Sequence, residues 1–483
     1  MKKEILLLQF LLIVGISFGQ RPDTLRWLKE PPHRPVRAAV ETFGLNIGVW
    51  SFNNYVMGAD FAKIDWSTIK HNFKTGFVWD NDKFSTNLFS HPYHGGLYFN
   101  TARANGVGFG WASAYAFGGS LMWELFMENE PPSMNDLLAT TVGGIALGEM
   151  TYRLSMMLVD NSRRGWPRVW HELAVTAVSP MNGLNRMIRG DMFRVKPIVD
   201  AYESNERELL KGWISIGSAY YAADNKLFRG VTNLYARVGL QLGDPVENDN
   251  HYPYDYFQFR GDINIGGQSG IGNVGLIGMI WGKRFEPKKG HKMVVGVFQH
   301  FDYITTDTIK DEPESVPVRM GGAAVVGLGM IYRFPKSNDG LFVESSVHAN
   351  AVLLGAAYSD YYTVIERDYS LGSGYQLKLS TDINLKRNVI IKLNYNLMKI
   401  FTRVTKEAKD YNNENIDLHY LDVQGIPGNT MVQLIEAGLR YPITESLSFD
   451  LDAQFFIRNS TYEGFDDVRF NTYRTVVGIT AKL

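Results

Sequence analysis

From about Gly212 to the last residue, apolar and polar positions alternate with a period of two. Phe257, Phe259, Ile263 and Ile265 alternate with Gln258, Arg260, Asp262 and Asn264, and Leu447, Phe449, Leu451 and Phe455 alternate with Ser448, Asp450, Asp452 and Gln454. That period predicts strands with one apolar face and one charged face. About twelve strands fit between Trp213 and Leu483. Their connections alternate in length: long near Tyr462, tight near Thr444, very long between Arg403 and Met431, tight at Lys386, long near Asp360, short near Ser337 and long near Asp307. Before Lys292 the rhythm breaks, with a short link near Gln268 and a long one near Glu247.

The first part of the chain follows helical spacing. Val40, Phe43, Ile47 and Trp50 mark a helix between Ala38 and Val56. Phe73, Thr75, Phe77 and Trp79 alternate and predict a short strand pair turning at Asp80 and Asp82. Trp111–Met127 is apolar except for Glu124; Ser133 with Asp136 three residues on caps a helix reaching Val159; Trp166–Val178 and Met181–Ile188 read as shorter helices. Eight of the ten tryptophans precede residue 171, which predicts a dense aromatic core. Neither main apolar helix is long enough and free enough of charge to be expected to span a bilayer of ~30 Å.

Composition changes this picture in three ways. The 49 Lys and Arg against 50 Asp and Glu leave no global field for nucleic acid. The 13% aromatic content and 47 glycines suit a membrane barrel with interfacial girdles. Absence of cysteine excludes disulfides, thiol catalysis and zinc–thiolate sites. At the N-terminus, Lys2 and Lys3, an apolar run from Ile5 to Ile16 and small residues at Ser17 and Gly19 predict a secretory signal, residues 1–19. A Pro- and Arg-rich leader, 20–35, follows.

Alternation is shared by soluble sandwiches and membrane barrels; export, strand length, aromatic content and loop rhythm select the membrane barrel. The expected fold is α+β: a helical domain at 36–195, as a cap on the periplasmic mouth or a plug in the lumen, then a transmembrane antiparallel β-barrel at 213–483. Arg260, Asp262, Glu344, His348, Lys378, Asp382, Asp450 and Asp452 are then expected to face the lumen. The terminal alternation through Ile479 to Leu483 suits a barrel-assembly signal, and the outer bilayer and its assembly machinery are the expected partners.

The chemistry gathers between Trp79 and Arg153. His91 and His94 are three apart, Pro92 starting a helix between them. Glu124 lies within an apolar run and needs a partner if charged, with Arg103, His94 and Arg153 as candidates. These three, His91, His94 and Glu124, are the candidate acid–base residues; a structural ion pair is the competing reading. Asp80, Asp82, Arg103, Asn135, Asp136, Glu149 and Arg153 form the surrounding polar cluster, with Glu149 and Arg153 an i,i+4 brace. His171 and Glu172 read as packing. With neither an HExxH motif nor cysteine, no metal or cofactor is expected. Ser346 and His348 share a strand face, but no GxSxG motif surrounds them.

The run Trp79-Asp80-Asn81-Asp82, Phe84-Ser85-Thr86-Asn87, His91-Pro92-Tyr93-His94-Gly95, Tyr98-Phe99-Asn100, Ala102-Arg103, Gly118-Gly119-Ser120, Trp123-Glu124, Pro132-Ser133, Asn135-Asp136 and Gly148-Glu149 resembles a family of Gram-negative envelope proteins catalogued as domain of unknown function 3943. The resemblance covers about Phe73 to Asn185. It implies an exported, outer-membrane-associated protein with a helical domain ahead of a barrel, and brings no activity. Three functions compete: a barrel serving transport or envelope organisation; an outer-membrane enzyme acting on lipid or lipopolysaccharide through His91, His94 and Glu124; and a soluble periplasmic binding protein.

Overall fold

A computed structural model describes residues 31–80, 82–195, 210–223, 227–247, 252–265, 270–306, 318–338, 340–362, 367–403 and 422–483. The expected signal segment, most of the expected leader and the tips of the connections near Gln268, Asp307 and Arg403–Met431 lie outside the described residues.

Helices come first: α1 (Pro35–Ser51), α2 (Trp66–Thr75), α3 (His91–Ala104), α4 (Phe109–Phe126), α5 (Met134–Leu138), α6 (Gly144–Leu158), α7 (Trp166–Val178) and α8 (Pro180–Ile188). Twelve strands follow: β1 (Leu210–Ala223), β2 (Val231–Leu242), β3 (Phe257–Ile265), β4 (Ile271–Phe285), β5 (Lys292–Thr305), β6 (Arg319–Arg333), β7 (Phe342–Tyr358), β8 (Tyr369–Asn384), β9 (Ile390–Thr402), β10 (Gly428–Pro442), β11 (Leu447–Tyr462) and β12 (Val468–Lys482). Each strand pairs antiparallel with its chain neighbour, and β1 pairs with β12, closing the barrel. Closure removes the sheet edges.

Ion pairs between non-adjacent strands identify the lumen. Arg237 on β2 reaches Asp452 on β11 at 2.9 Å, Arg474 on β12 reaches Asp262 on β3 at 3.2 Å, and Lys378 on β8 reaches Asp302 on β5 at 2.8 Å. Neighbours in sequence therefore point outward, and there the large apolar side chains lie exposed, among them Ile216, Leu328, Ile435 and Ile479. Inward polar and outward apolar is the arrangement a bilayer imposes.

The helical domain is neither cap nor plug. It packs on the outer wall. Phe301 and Tyr303 flank the lumen-facing Asp302 and so point outward, yet both are buried. The ring of Tyr303 meets Phe84 and Phe89, and Gln299, on the same outward face, donates to the Val142 carbonyl at 2.7 Å. A row of outward residues crosses the strands along the pairing direction, Leu240 opposite Phe259, Phe259 opposite Leu276, Leu276 opposite Phe301. It joins Leu354 and Leu371 in one apolar cluster with Leu88, Leu147, Met150 and Leu154 of the helical domain. The reason the cap and plug fail is volume and charge: the lumen is already occupied by its own side chains, while the outer wall offers a matching apolar surface. The irregularities of register fall between β3 and β8, in and around the strands beneath the domain, whereas β9 to β12 and β1 to β2 pair without a shift. Bulges bend the wall locally to receive it.

Residues 252–256, in the connection that broke the loop rhythm, belong to this seam. Tyr254, held at φ 64°, lies tilted against Phe109 and donates to Gln299 at 2.9 Å, and Asp255 pairs with Arg153 at 3.0 Å. The expected strand pair at Phe73–Trp79 is also corrected. Residues through Thr75 are α2, because Asp65 caps it with a full capping box and Gly76 ends it at φ 75°; only Val78 makes a bridge, with Ser133. The aromatic core is corrected too: Trp66, Trp111, Trp166 and Trp170 are exposed.

Helices α3 and α6 touch backbone to backbone. A Cβ on Gly144 would lie 2.5 Å from Gly95, and one on Gly95 would lie 1.6 Å from the Thr140 carbonyl oxygen. Gly144→Ala is expected to destabilise the domain by about 1–3 kcal/mol or more, read as a lower urea midpoint of the helical circular-dichroism signal. The barrel's heat-dependent gel shift should persist, since the barrel pairs without the domain's backbone.

Candidate functional site

The segment leading into α3 crosses the seam and is pinned to the wall. Arg367, fully buried ahead of β8, donates to the carbonyls of Asp80 at 2.5 Å and Gln424 at 2.9 Å and stacks on Tyr369. Trp79 N–H donates to Asp422 at 3.0 Å, Val423 N–H to the Trp79 carbonyl at 3.2 Å, and the Tyr369 hydroxyl to the Asp82 carbonyl. A clamp from two barrel connections thus sets the position of Asp80 and Asp82.

Beside the clamp, His91 Nε2 lies 3.3 Å from both Asp82 and Asp136. Asn135 Nδ2 donates to Asp80 at 2.7 Å, to Asn87 at 3.1 Å and to Asp136 at 3.1 Å. Asp80 and Asp136 are hydrogen-bonded, and their environments differ. Burial, with the charge of Asp80 beside it, pushes Asp136 well above the usual carboxylate range. For Asp80 burial acts upward too, but hydrogen bonds from Asp136 and Asn135 and the His91 charge outweigh it and hold it low. Between the two, the proton is favoured on Asp136 and the charge on Asp80. Burial acts to lower His91, but Asp82 and Asp80 prevail and raise it, so the imidazolium is favoured. The group opens to the surface at Asp82, whose side chain is 47% exposed.

Glu124 finds none of its expected partners. Arg103 and Arg153 both bind Glu149, at 2.8 and 2.9 Å, making the i,i+4 brace a three-residue network. Glu124 instead accepts from Ser133 N–H at 2.7 Å, and burial lifts it to about 7, against that bond and the His91 charge. Neighbouring Glu128 is raised as well, by burial and by Glu124. His94 stands apart: it stacks on Tyr98, meets Trp123 edge-on, and its Nε2 is buried with no hydrogen-bond partner among the described residues. Burial and the His91 charge push it down to about 4, so it is neutral. His171 is buried as packing, but Glu172 joins Arg186 at 2.6 Å.

The structure thus brings together Asp80, Asp82, His91, Asn135 and Asp136, with Glu124 behind them, and leaves His94, Arg103, Glu149 and Arg153 outside. Sequence reasoning assigned no role to Asn87 and missed Arg367 and Tyr369; the last two come from the barrel, and no local pattern marks them. Chemically, the group holds a shared proton next to an imidazolium. One atom each of Asp82, His91 and Asp136 also lie within 4.8 Å of one another, a spacing that fits a small cation.

Arg260, Asp262, Lys378 and Asp452 make contacts across the lumen. Glu344, His348 and Asp382 line its cavity of about 340 Å³, and Asp450 accepts from Arg440 and Thr480. At the end of the cavity Ile304, which also lines it, packs with Val325, Val352, Met398, Val432 and Phe456 into an apolar cluster.

A closed sheet, an apolar outer wall and a charged lumen define the class, a β-barrel of the outer-membrane type. Residues 76–181 match the model of a family described as Domain of unknown function (DUF3943). No curated protein matches the chain. Among solved structures, the NanC porin aligns at 11% identity over 56% of this chain and 100% of its own, with a TM-score of 0.28. The KdgM porin aligns at 9% over 55% and 98%, with 0.24. OprD from Pseudomonas aeruginosa aligns at 12% over 57% and 94%, with 0.21.

Because Glu124 keeps its proton in the native state up to about 7, against 4.5 ordinarily, stability falls as pH rises through that window. Glu124→Gln should flatten this fall, leaving a residual slope from Asp136 and Glu128. Thermal midpoints at pH 5 and pH 7 check it; an unchanged slope would mean the proton resides elsewhere.

Proposed function

We propose that the protein is an outer-membrane barrel whose wall serves as a platform. Its working part is the carboxylate–histidine group at the seam, a proton-transferring centre for a lipid or lipopolysaccharide headgroup. The observation that carries this reading is the convergence of His91, Asp82, Asp136 and Asp80 at a single opening outside the lumen. His91 is the proton donor at the mouth. Water at the Asp82 opening is the nucleophile. As its oxygen bonds to the reacting atom of the ester and the bond to the leaving oxygen breaks, His91 protonates that leaving oxygen. The proton lost by the water returns to His91 through the Asp82, Asp136 and Asp80 carboxylates. Asn135 and Asn87 fix the carboxylates. Glu124 adds a second proton store, and His94, kept neutral, supports the ring of Tyr98.

The lumen supports the platform role, since ion pairs bridge it and an apolar cluster lies at the end of its cavity. Transport is the second reading, favoured by the cavity lined by Arg260, Glu344 and Lys378; it requires the apolar cluster to move.

Purified full-length protein in vesicles of phospholipid and lipopolysaccharide should release a headgroup or acyl product detectable by mass spectrometry. His91→Asn and Asp136→Asn should each lower that rate by about 10²–10⁴-fold while keeping the heat-dependent gel shift. Chelation separates a cation-assisted reaction from a metal-independent one. A wild-type protein that forms no product, or a variant that keeps its rate, would overturn the reading. Steady conductance across a planar bilayer would favour transport instead.

A further inference from the structure

Four helices of the domain are built inside out. On α1 the exposed positions are Pro35, Val36, Ala39, Val40, Phe43, Gly44, Ile47 and Gly48, while the buried ones are Ala38, Thr42 and Asn46. The buried polar side chains are paired: Thr42 with Thr101 at 2.8 Å, and Asn46 with the Tyr98 hydroxyl and, at 3.0 Å, the Gly119 carbonyl. On α4 the exposed side chains, Trp111 (75%), Phe117 and Phe126, are apolar, and its one acid, Glu124, is 1% exposed. On α7 Trp166, Val169, Trp170 and Leu173 face out and Arg168, His171 and Glu172 face in. On α8 Leu184, Met187 and Ile188 face out and Asn182, Asn185 and Arg186 face in.

A helix on a water-facing surface shows the opposite order. The same inversion holds on the barrel, and the domain sits on the barrel's outer wall, so its exposed face continues the wall's apolar surface. Exposed charges keep to the margins: Arg34 ahead of α1, Asp60, Lys63, Asp65, Lys70, Lys74, Asp82 and Lys83 in the segment between α1 and α3, and Arg164 and Arg194 in the connections flanking α7 and α8. Between them, α2 carries Trp66 and Phe73 beside Lys70 and Lys74, the mixture of an interfacial helix.

We propose that acyl chains of the outer membrane cover the outward faces of α1, α4, α7 and α8, so that the helical domain lies in the bilayer as a lateral appendage of the barrel. No helix among the described residues is long and apolar enough to cross a membrane, which agrees with this arrangement: each is apolar on one side only, and the wall and its sister helices shelter the other. The occupant is hydrocarbon, because a soluble partner would leave the adjoining barrel wall bare where the two surfaces are continuous. The carboxylate–histidine group then stands at the border between lipid and water, beside the basic margin.

The chain has no cysteine, so single cysteines can be spin-labelled without background. Val40→Cys, Phe117→Cys and Val169→Cys on the domain are compared with Leu328→Cys on the bare wall and Lys70→Cys on the margin, each in full-length protein in vesicles. The readout is collision with oxygen, which concentrates in lipid, and with a water-soluble nickel chelate. The three domain sites should match Leu328→Cys, with an oxygen-to-nickel ratio several-fold above that of Lys70→Cys. Nickel access at the domain sites with oxygen access at Leu328→Cys overturns the proposal and leaves the membrane barrel intact. Low access to both reagents at the domain sites overturns it in favour of a second copy or another protein covering the face. Nickel access at Leu328→Cys itself overturns the membrane reading on which the proposal rests.

Discussion

A charge cannot be left in hydrocarbon without a partner, and this constraint orders the whole molecule. On the barrel it sends Arg237, Asp262, Arg474 and Asp452 inward, where they satisfy one another across the lumen. On the helical domain it sends Glu149, Glu172, Arg186 and Asn46 inward, where each meets a fixed donor or acceptor. Two units of unlike secondary structure obey the same rule from opposite sides of one seam. Glycine at positions 95 and 144 permits the close helix packing that lets these polar groups reach one another.

The candidate site is a by-product of that ordering and more than that. Buried polar side chains must converge somewhere, and most of them here end in closed pairs, such as Arg103 with Glu149. The group around His91 differs because its charges do not cancel by simple pairing: two carboxylates meet one imidazole, a third stands behind them, and burial favours a proton on Asp136. The barrel takes part directly, since Arg367 and Tyr369 hold the backbone of Asp80 and Asp82. Loosening that clamp would change the separation of the carboxylates and with it the division of protons among them.

Much of the fold was legible because a strand announces itself in one dimension. Alternation at Phe257–Ile265 or Leu447–Phe455 needs no knowledge of neighbours, and Ser133 and Pro92 mark helix starts by local capping chemistry. What periodicity lacks is a sign. The stripe Val40–Phe43–Ile47 identifies a helix face equally well whether that face looks at a core or at lipid, and the tryptophans of α4 and α7 mislead in the same way. The alternation at Phe73–Trp79 lost to a stronger local signal, the capping box at Asp65. In the site, sequence reasoning groups Asp80, Asp82, Asn135 and Asp136 as polar residues but sets His91 with His94 and Glu124, because nothing local shows that α5 brings Asp136 to the His91 ring. Glu124 could not be paired in advance because its partner is a backbone N–H, and Arg367 could not be found because it arrives from the far end of the chain.

The inside-out helices also bear on the order of events in biogenesis. The domain is made before the barrel, yet its polar interior and apolar exterior have no stable home in water, and its docking surface on Leu276, Phe301 and Leu354 exists only after β4, β5 and β7 have paired. The helices therefore depend on the paired wall for the apolar surface they set against, and a barrel that fails to close offers them none.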